Sequence, residues 1–164
     1  MINNYSAPVT PVIGTTNNFF YGHLVNITNN GIYQLINSSS VSTGTTVVIN
    51  TINHEVVDDS TISGKKTNNI ITSKVTNMRS LFQNENSFNG TNVTSWDTSN
   101  VITMENMFYH ARVFNQDIGN WDTSNVTTMK NMFRFAETFN QDIGNWDTSS
   151  AVSYTHLRAH ETRP

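Results

Sequence analysis

Between Trp96 and Asn145 one unit is written twice in immediate succession, WDTSNVITMENMFYHARVFNQDIGN and then WDTSNVTTMKNMFRFAETFNQDIGN. The tryptophans at 96, 121 and 146 stand 25 residues apart, and 19 of the 25 positions are identical between the two copies. No other feature constrains the fold as strongly. A unit this short cannot bury its own apolar edge, so it must lay that edge against a neighbour.

The constant positions divide into an apolar and a polar set. The apolar set is Val101, Met104, Met107, Phe108, Ala111, Phe114, Ile118 and Trp121, echoed by Val126, Met129, Met132, Phe133, Ala136, Phe139, Ile143 and Trp146. Each pair reads as one rung of a ladder, which makes these residues the expected structural core. The spacing 104, 107, 108, 111 is helical, and Thr103 ahead of Glu105 has the form of a cap with an acidic first turn, so a short helix is expected over 104–112. Asn, Asp, Gly, Ser and Thr crowd the following FNQDIGNWDTSNVT and oppose a longer helix. A short strand near 116–121, a turn over 122–125 and an extended 126–128 are expected there.

Aligning Met78 with Met104 reveals an earlier, degenerate unit with one extra residue in FNGTNVTSW, where later copies read FNQDIGNW. The expected organisation is an irregular lead-in over 1–18, a β-rich N-terminal segment or cap over 19–53, and a linker over 54–69. Tandem repeats follow over 70–150, as 70–95, 96–120, 121–145 and a partial 146–150. Within the β-rich segment, strands are expected over 19–27, 32–36 and 45–52, with Asn29, Asn30 and Gly31 supplying a turn. The stretch 151–164 lacks Met-x-x-Met-Phe, is rich in His and Arg, resembles a translated library adapter and is read as a non-native tail.

The polarity of the chain comes from Asn, Thr and Ser, since charged residues are only 13% and the net charge is −3. That balance supplies no basic stripe for nucleic acid. The absence of cysteine excludes a disulfide framework and a thiol nucleophile. The N-terminus shows no signal peptide, and no apolar run reaches the roughly 18 to 20 residues of a membrane-spanning helix.

Two aspartate ladders, Asp97, Asp122 and Asp147 and then Asp117 and Asp142, invite a calcium reading, but Asp-Thr-Ser-Asn is also good turn chemistry, and the turn is the stronger reading. Asn115 and Asn140 are expected to face inward and satisfy backbone at a corner. His54, Glu55, Asp58 and Asp59 read as a solvated linker before they read as a metal site. No nucleophile elbow and no phosphate-binding glycine loop is present, so no enzyme activity, no cofactor and no metal is expected. Six positions differ between the copies: 102/127, 105/130, 109/134, 110/135, 112/137 and 113/138. If the constant set is inward these face out, and Tyr109, Arg134 and Phe135 make a candidate contact strip.

The pattern Val-Thr-x-Met-x-x-Met-Phe-x-x-Ala-x-x-Phe-Asn-x-Asp-Ile-x-x-Trp-Asp-Thr-Ser-Asn resembles the bacterial surface protein 26-residue repeat of the BspA-like leucine-rich repeat family, over about half the chain. The resemblance implies an α/β repeat solenoid, a leucine-rich-repeat-like right-handed stack of short strands and short helices. It also implies display at a cell surface or outside the cell, adhesion and protein binding, and no catalytic residues. The function expected on this basis is that of a non-enzymatic fragment of such a surface protein, presenting one face to a protein or glycan partner. The alternatives are a structural spacer or the repeat region of a larger secreted enzyme.

Overall fold

The computed structural model describes residues 12–13, 19–21, 24–66, 69–90 and 92–153. Branched and aromatic residues in the first half form two small sheets. The first is antiparallel throughout, in the order β1 (Val12–Ile13), β2 (Phe19–Tyr21), β3 (Val25–Ile27), β4 (Tyr33–Leu35). The turn between β3 and β4 closes on Thr28, whose carbonyl accepts from the Gly31 amide at 2.9 Å, and Gly31 holds φ +77°, which glycine adopts without a Cβ clash.

The second sheet runs β5 (Thr46–Ile49), β6 (Ile52–Asp58), β7 (Ile70–Lys74). β5 and β6 form an antiparallel hairpin across Asn50 and Thr51, both at positive φ, as the tight mirror-image hairpin turns require. β6 then pairs parallel with β7, and the one-turn helix α1 (Ile62–Lys65) lies in the connection. Alternation along these strands feeds two cores. Val56 and Ile71 join Val25, Leu35, Val41, Val47 and Ile49 between the sheets, whereas Val57 and Ile70 join the core of the repeats.

β7 is itself the opening of the first unit, since its Thr72 occupies the place of Thr98 and Thr123. All three are buried, and each hydroxyl donates at 2.9 Å to a carbonyl of the next unit, Asp97, Asp122 and Asp147 respectively. Successive units continue from there in register. Trp96 and Trp121 stack with centroids 6.5 Å apart, Trp121 and Trp146 at 6.3 Å, and Phe82, Phe108 and Phe133 form a parallel column at 5.3 and 5.6 Å. A third column, Phe88, Phe114 and Phe139, packs face to face on the second at 3.9 Å in every unit. The indoles of Trp121 and Trp146 donate back to the carbonyls of Val93 and Ile118 at 3.1 Å.

The fold class nevertheless differs from expectation: among the described residues the regular secondary structure is nearly all sheet with very little helix, and the fold is not an α/β repeat solenoid. Among the described residues the only helices are α1 and a 3₁₀ turn at Val93–Ser95. Residues 104–112 form no helix and 116–121 form no strand. The reason lies in the backbone. In each unit two residues four apart take left-handed φ, Ser80 and Asn84, then Asn106 and His110, then Asn131 and Phe135, and a left-handed residue ends any right-handed helix. Between them the amides alternate in duty. Those of Met107, Tyr109 and Ala111 donate three residues back, to Met104, Asn106 and Phe108, whereas those of Met104, Asn106, Phe108 and His110 donate across to Thr128, Lys130, Met132 and Arg134. Consecutive three-residue-back turns give the side chains a period of three to four without any helix.

The expected linker over 54–69 is also corrected, because it contains most of β6, a turn and α1. Ala151–Ser153, expected to be foreign, carry on the stack: the Val152 amide donates to Thr127, the Met129 amide donates to Ser153, and Thr128 pairs with Ser153 as Thr103 pairs with Thr128. The remainder of that tail, 154–164, and most of the lead-in over 1–18 lie outside the described residues.

Candidate functional site

The ten core residues singled out from the repeat, Met104, Phe108, Phe114, Ile118, Trp121, Met129, Phe133, Phe139, Ile143 and Trp146, are all buried, none more than 7% exposed. They fix by subtraction what faces out. The second left-handed position of each unit carries Asn84, then His110, then Phe135, and its side chain lies on the outer surface. The His110 and Phe135 rings stack with centroids 4.4 Å apart, and Tyr109 meets both edge-on, at 4.6 and 5.7 Å. The Arg134 guanidinium lies 4.9 Å above the Phe135 ring, a favourable cation–π arrangement.

Tyr109, Arg134 and Phe135 are therefore brought into one patch, with Phe135 41% exposed, and His110 completes it. The readable signal for His110 was its place beside Tyr109 among the differing positions. On the same face Arg79 pairs with Glu105 at 3.3 Å and Arg112 with Glu137 at 3.2 Å, whereas Lys130 and Arg134 have no carboxylate partner among the described residues. Two of the patch members carry strain. A left-handed backbone is cheap for Asn but costs roughly 1 to 2 kcal/mol for a bulky L-residue, and such residues persist only where the surrounding structure over-determines them.

A second feature lies where the β3–β4 turn approaches the edge of the stack. A cleft of about 140 Å³ opens between Gln34 and Asn30 on one wall and Trp96, Asp97, Asn120 and Asp122 on the other. Asp97 is only 4% exposed and anchors the junction: one carboxylate oxygen accepts from the Ser73 hydroxyl, the other from the amide and hydroxyl of Ser99 at 3.1 and 2.7 Å. Ser73 in turn accepts from the Leu35 amide at 2.9 Å, which ties β4 to β7 and both to the second unit.

The aspartate ladders serve turns. Asp97, Asp122 and Asp147 accept from the amides of Ser99, Ser124 and Ser149, and Asp117 and Asp142 from those of Gly119 and Gly144, all within 2.8 to 3.1 Å. These bonds to the charged form hold Asp147 below the usual carboxylate range, first through the Ser149 hydroxyl and then its amide. Asn115 and Asn140 are exposed and not inward. Asn115 still bridges units, its Oδ1 accepting from the Asn140 amide at 2.9 Å. Among the described residues no group of three metal-ligating side chains is assembled. Of the His54 cluster, Glu55 pairs with Lys65 at 2.6 Å, Asp58 binds Ser60, Thr61 and Thr43, and Asp59 binds Thr76 and Asn77. His54 itself is buried, Nδ1 donating to the Ile52 carbonyl at 3.0 Å.

No helix among the described residues is long and apolar enough to cross a membrane. Residues 51–162, about two thirds of the chain, match the family model described as Mycoplasma protein of unknown function, DUF285. No curated protein and no solved structure matches the chain.

Proposed function

For a chain that belongs to the DUF285 family, we propose the role of a non-enzymatic binding module, displayed at a surface, whose Tyr109, His110, Arg134 and Phe135 patch docks a protein partner. The single observation behind this is that an exposed Phe135 and a half-buried His110 occupy the left-handed backbone position where the first unit carries the far more tolerant Asn84. Burial does not account for keeping them there, since Phe135 remains substantially exposed. Aromatic rings with an unpaired arginine are the composition that anchors protein interfaces. The resemblance of the repeat to BspA-like surface repeats points the same way, toward adhesion.

The test compares the full chain with a Tyr109→Ala/Arg134→Ala/Phe135→Ala variant, each immobilised and exposed to cell-surface extracts. Any captured protein is then purified and its affinity measured directly. Loss of at least tenfold in the variant supports the patch as the docking site. Equal affinity for both chains removes it, and the lack of any saturable partner favours the spacer reading.

A further inference from the structure

We propose that the cleft between the β3–β4 turn and the second and third units is a binding site for one residue of a neutral glycan. This site is separate from the aromatic patch and does not depend on it. Its walls come from three parts of the chain, Asn30 and Gln34 from the β3–β4 turn and β4, Trp96, Asp97 and Asn120 from the second unit, and Asp122 from the third. At about 140 Å³ the space holds several waters, the scale of a single sugar ring and well below a drug-sized pocket.

The chemistry of the wall selects the ligand. Asn30 and Asn120 make no side-chain hydrogen bond among the described residues, Gln34 makes one stretched contact of 3.5 Å to Asp97, and Asp122 spends one oxygen on Ser124. Amide donors and acceptors and a carboxylate oxygen therefore stand ready together. A vicinal diol satisfies such a set because each hydroxyl both donates and accepts. Anions are disfavoured, since two carboxylates line the cleft and no lysine or arginine does. A metal ion is disfavoured as well, because the oxygens of Asp97 are engaged by Ser73 and Ser99 and no three-ligand group is present among the described residues.

The experiment is a titration of the full chain with an array of neutral oligosaccharides built from glucose, galactose and N-acetylglucosamine, alongside sialylated and sulfated glycans, free lysine and calcium chloride. Four variants are run in parallel: Asn120→Ala, Asp122→Asn, the same change one unit later at Asn145→Ala, and the triple alanine variant of the aromatic patch. The expected result is saturable binding of at least one neutral glycan, weakened tenfold or more by Asn120→Ala and Asp122→Asn and unchanged in the other two. Asp122→Asn retains an acceptor for Ser124, so its fold is preserved, and thermal melting of every variant confirms that loss of binding is not loss of structure. The proposal is overturned if no neutral glycan binds, if Asn145→Ala weakens binding as much as Asn120→Ala, or if only the anionic glycans, lysine or calcium bind.

Discussion

Phe135 shows how a single position can serve binding against stability. Its ring is exposed, stacked on His110 and covered by Arg134, while its backbone sits at φ 62°, where an L-aromatic residue is strained. Phe135→Asn restores the residue type that the first unit holds at Asn84. It is expected to stabilise the chain by about 1 kcal/mol, raising the melting temperature by roughly 2 to 4 °C, while weakening partner capture; a fall in melting temperature would contradict the strain. His54 offers a pH test. Burial holds its pKa below the ordinary 6.5, partly opposed by the bond to the Ile52 carbonyl. The unfolded chain thus takes up a proton near pH 6.5 that the folded chain resists, so stability falls as the pH drops below that value. Melting curves from pH 7.5 to 5 should decline, and His54→Phe, which keeps a ring against Tyr33, should flatten the decline. The outward patch was legible from the copies alone, because a position free to vary in a stacked repeat is one that the core does not use. The left-handed backbone was not, since Phe disfavours that region and His, though enriched there, enters it too seldom to announce it.

At the scale of the element, the helix expected over 104–112 and the strand expected over 116–121 both fail for one physical reason. Apolar spacing reports which side chains turn inward, not how the backbone carries them, and serial turns closed three residues back reproduce a helical stripe. The second sheet was misread at β6 because Glu55, Asp58 and Asp59 look like linker composition. In the strand Glu55 is instead held by Lys65, and Asp58 gathers Ser60, Thr43 and Thr61, bonds that keep its carboxyl well below the usual range. The ladders themselves were fully readable, because burial of Met, Phe and Trp at a fixed period has no other solution. Trp121 lies between Trp96 and Trp146 and donates to Val93, so Trp121→Ala is expected to cost about 3 to 5 kcal/mol. Hydrogen exchange should show lost protection in both neighbouring units; a loss confined to 121–145 would mean that the units fold independently.

For the whole molecule the decisive contact is the seam at which the first sheet meets the stack. Asp97, Asp122 and Asp147 are equivalent in sequence, yet only Asp97 is buried and bonded to Ser73. Asp97→Ala should therefore destabilise the chain by about 2 to 3 kcal/mol, whereas Asp147→Ala should barely move the melting temperature. Equal effects in calorimetry would show that the seam carries no special weight. Sequence reading could not separate the three, because the distinction is made by Leu35 and Ser73, remote residues that meet only after folding.

The stacking interval of the tryptophans has a consequence for reach. With rings only 6.3 to 6.5 Å apart, a unit of 25 residues lengthens the column by little more than the width of one strand, roughly 5 Å, whereas the same residues as a helix would extend about 37 Å. Such a column is a poor mast. Each added unit contributes scarcely any height and a whole new row of outward side chains, so duplication in this chain enlarges what it can touch far more than how far it can stretch.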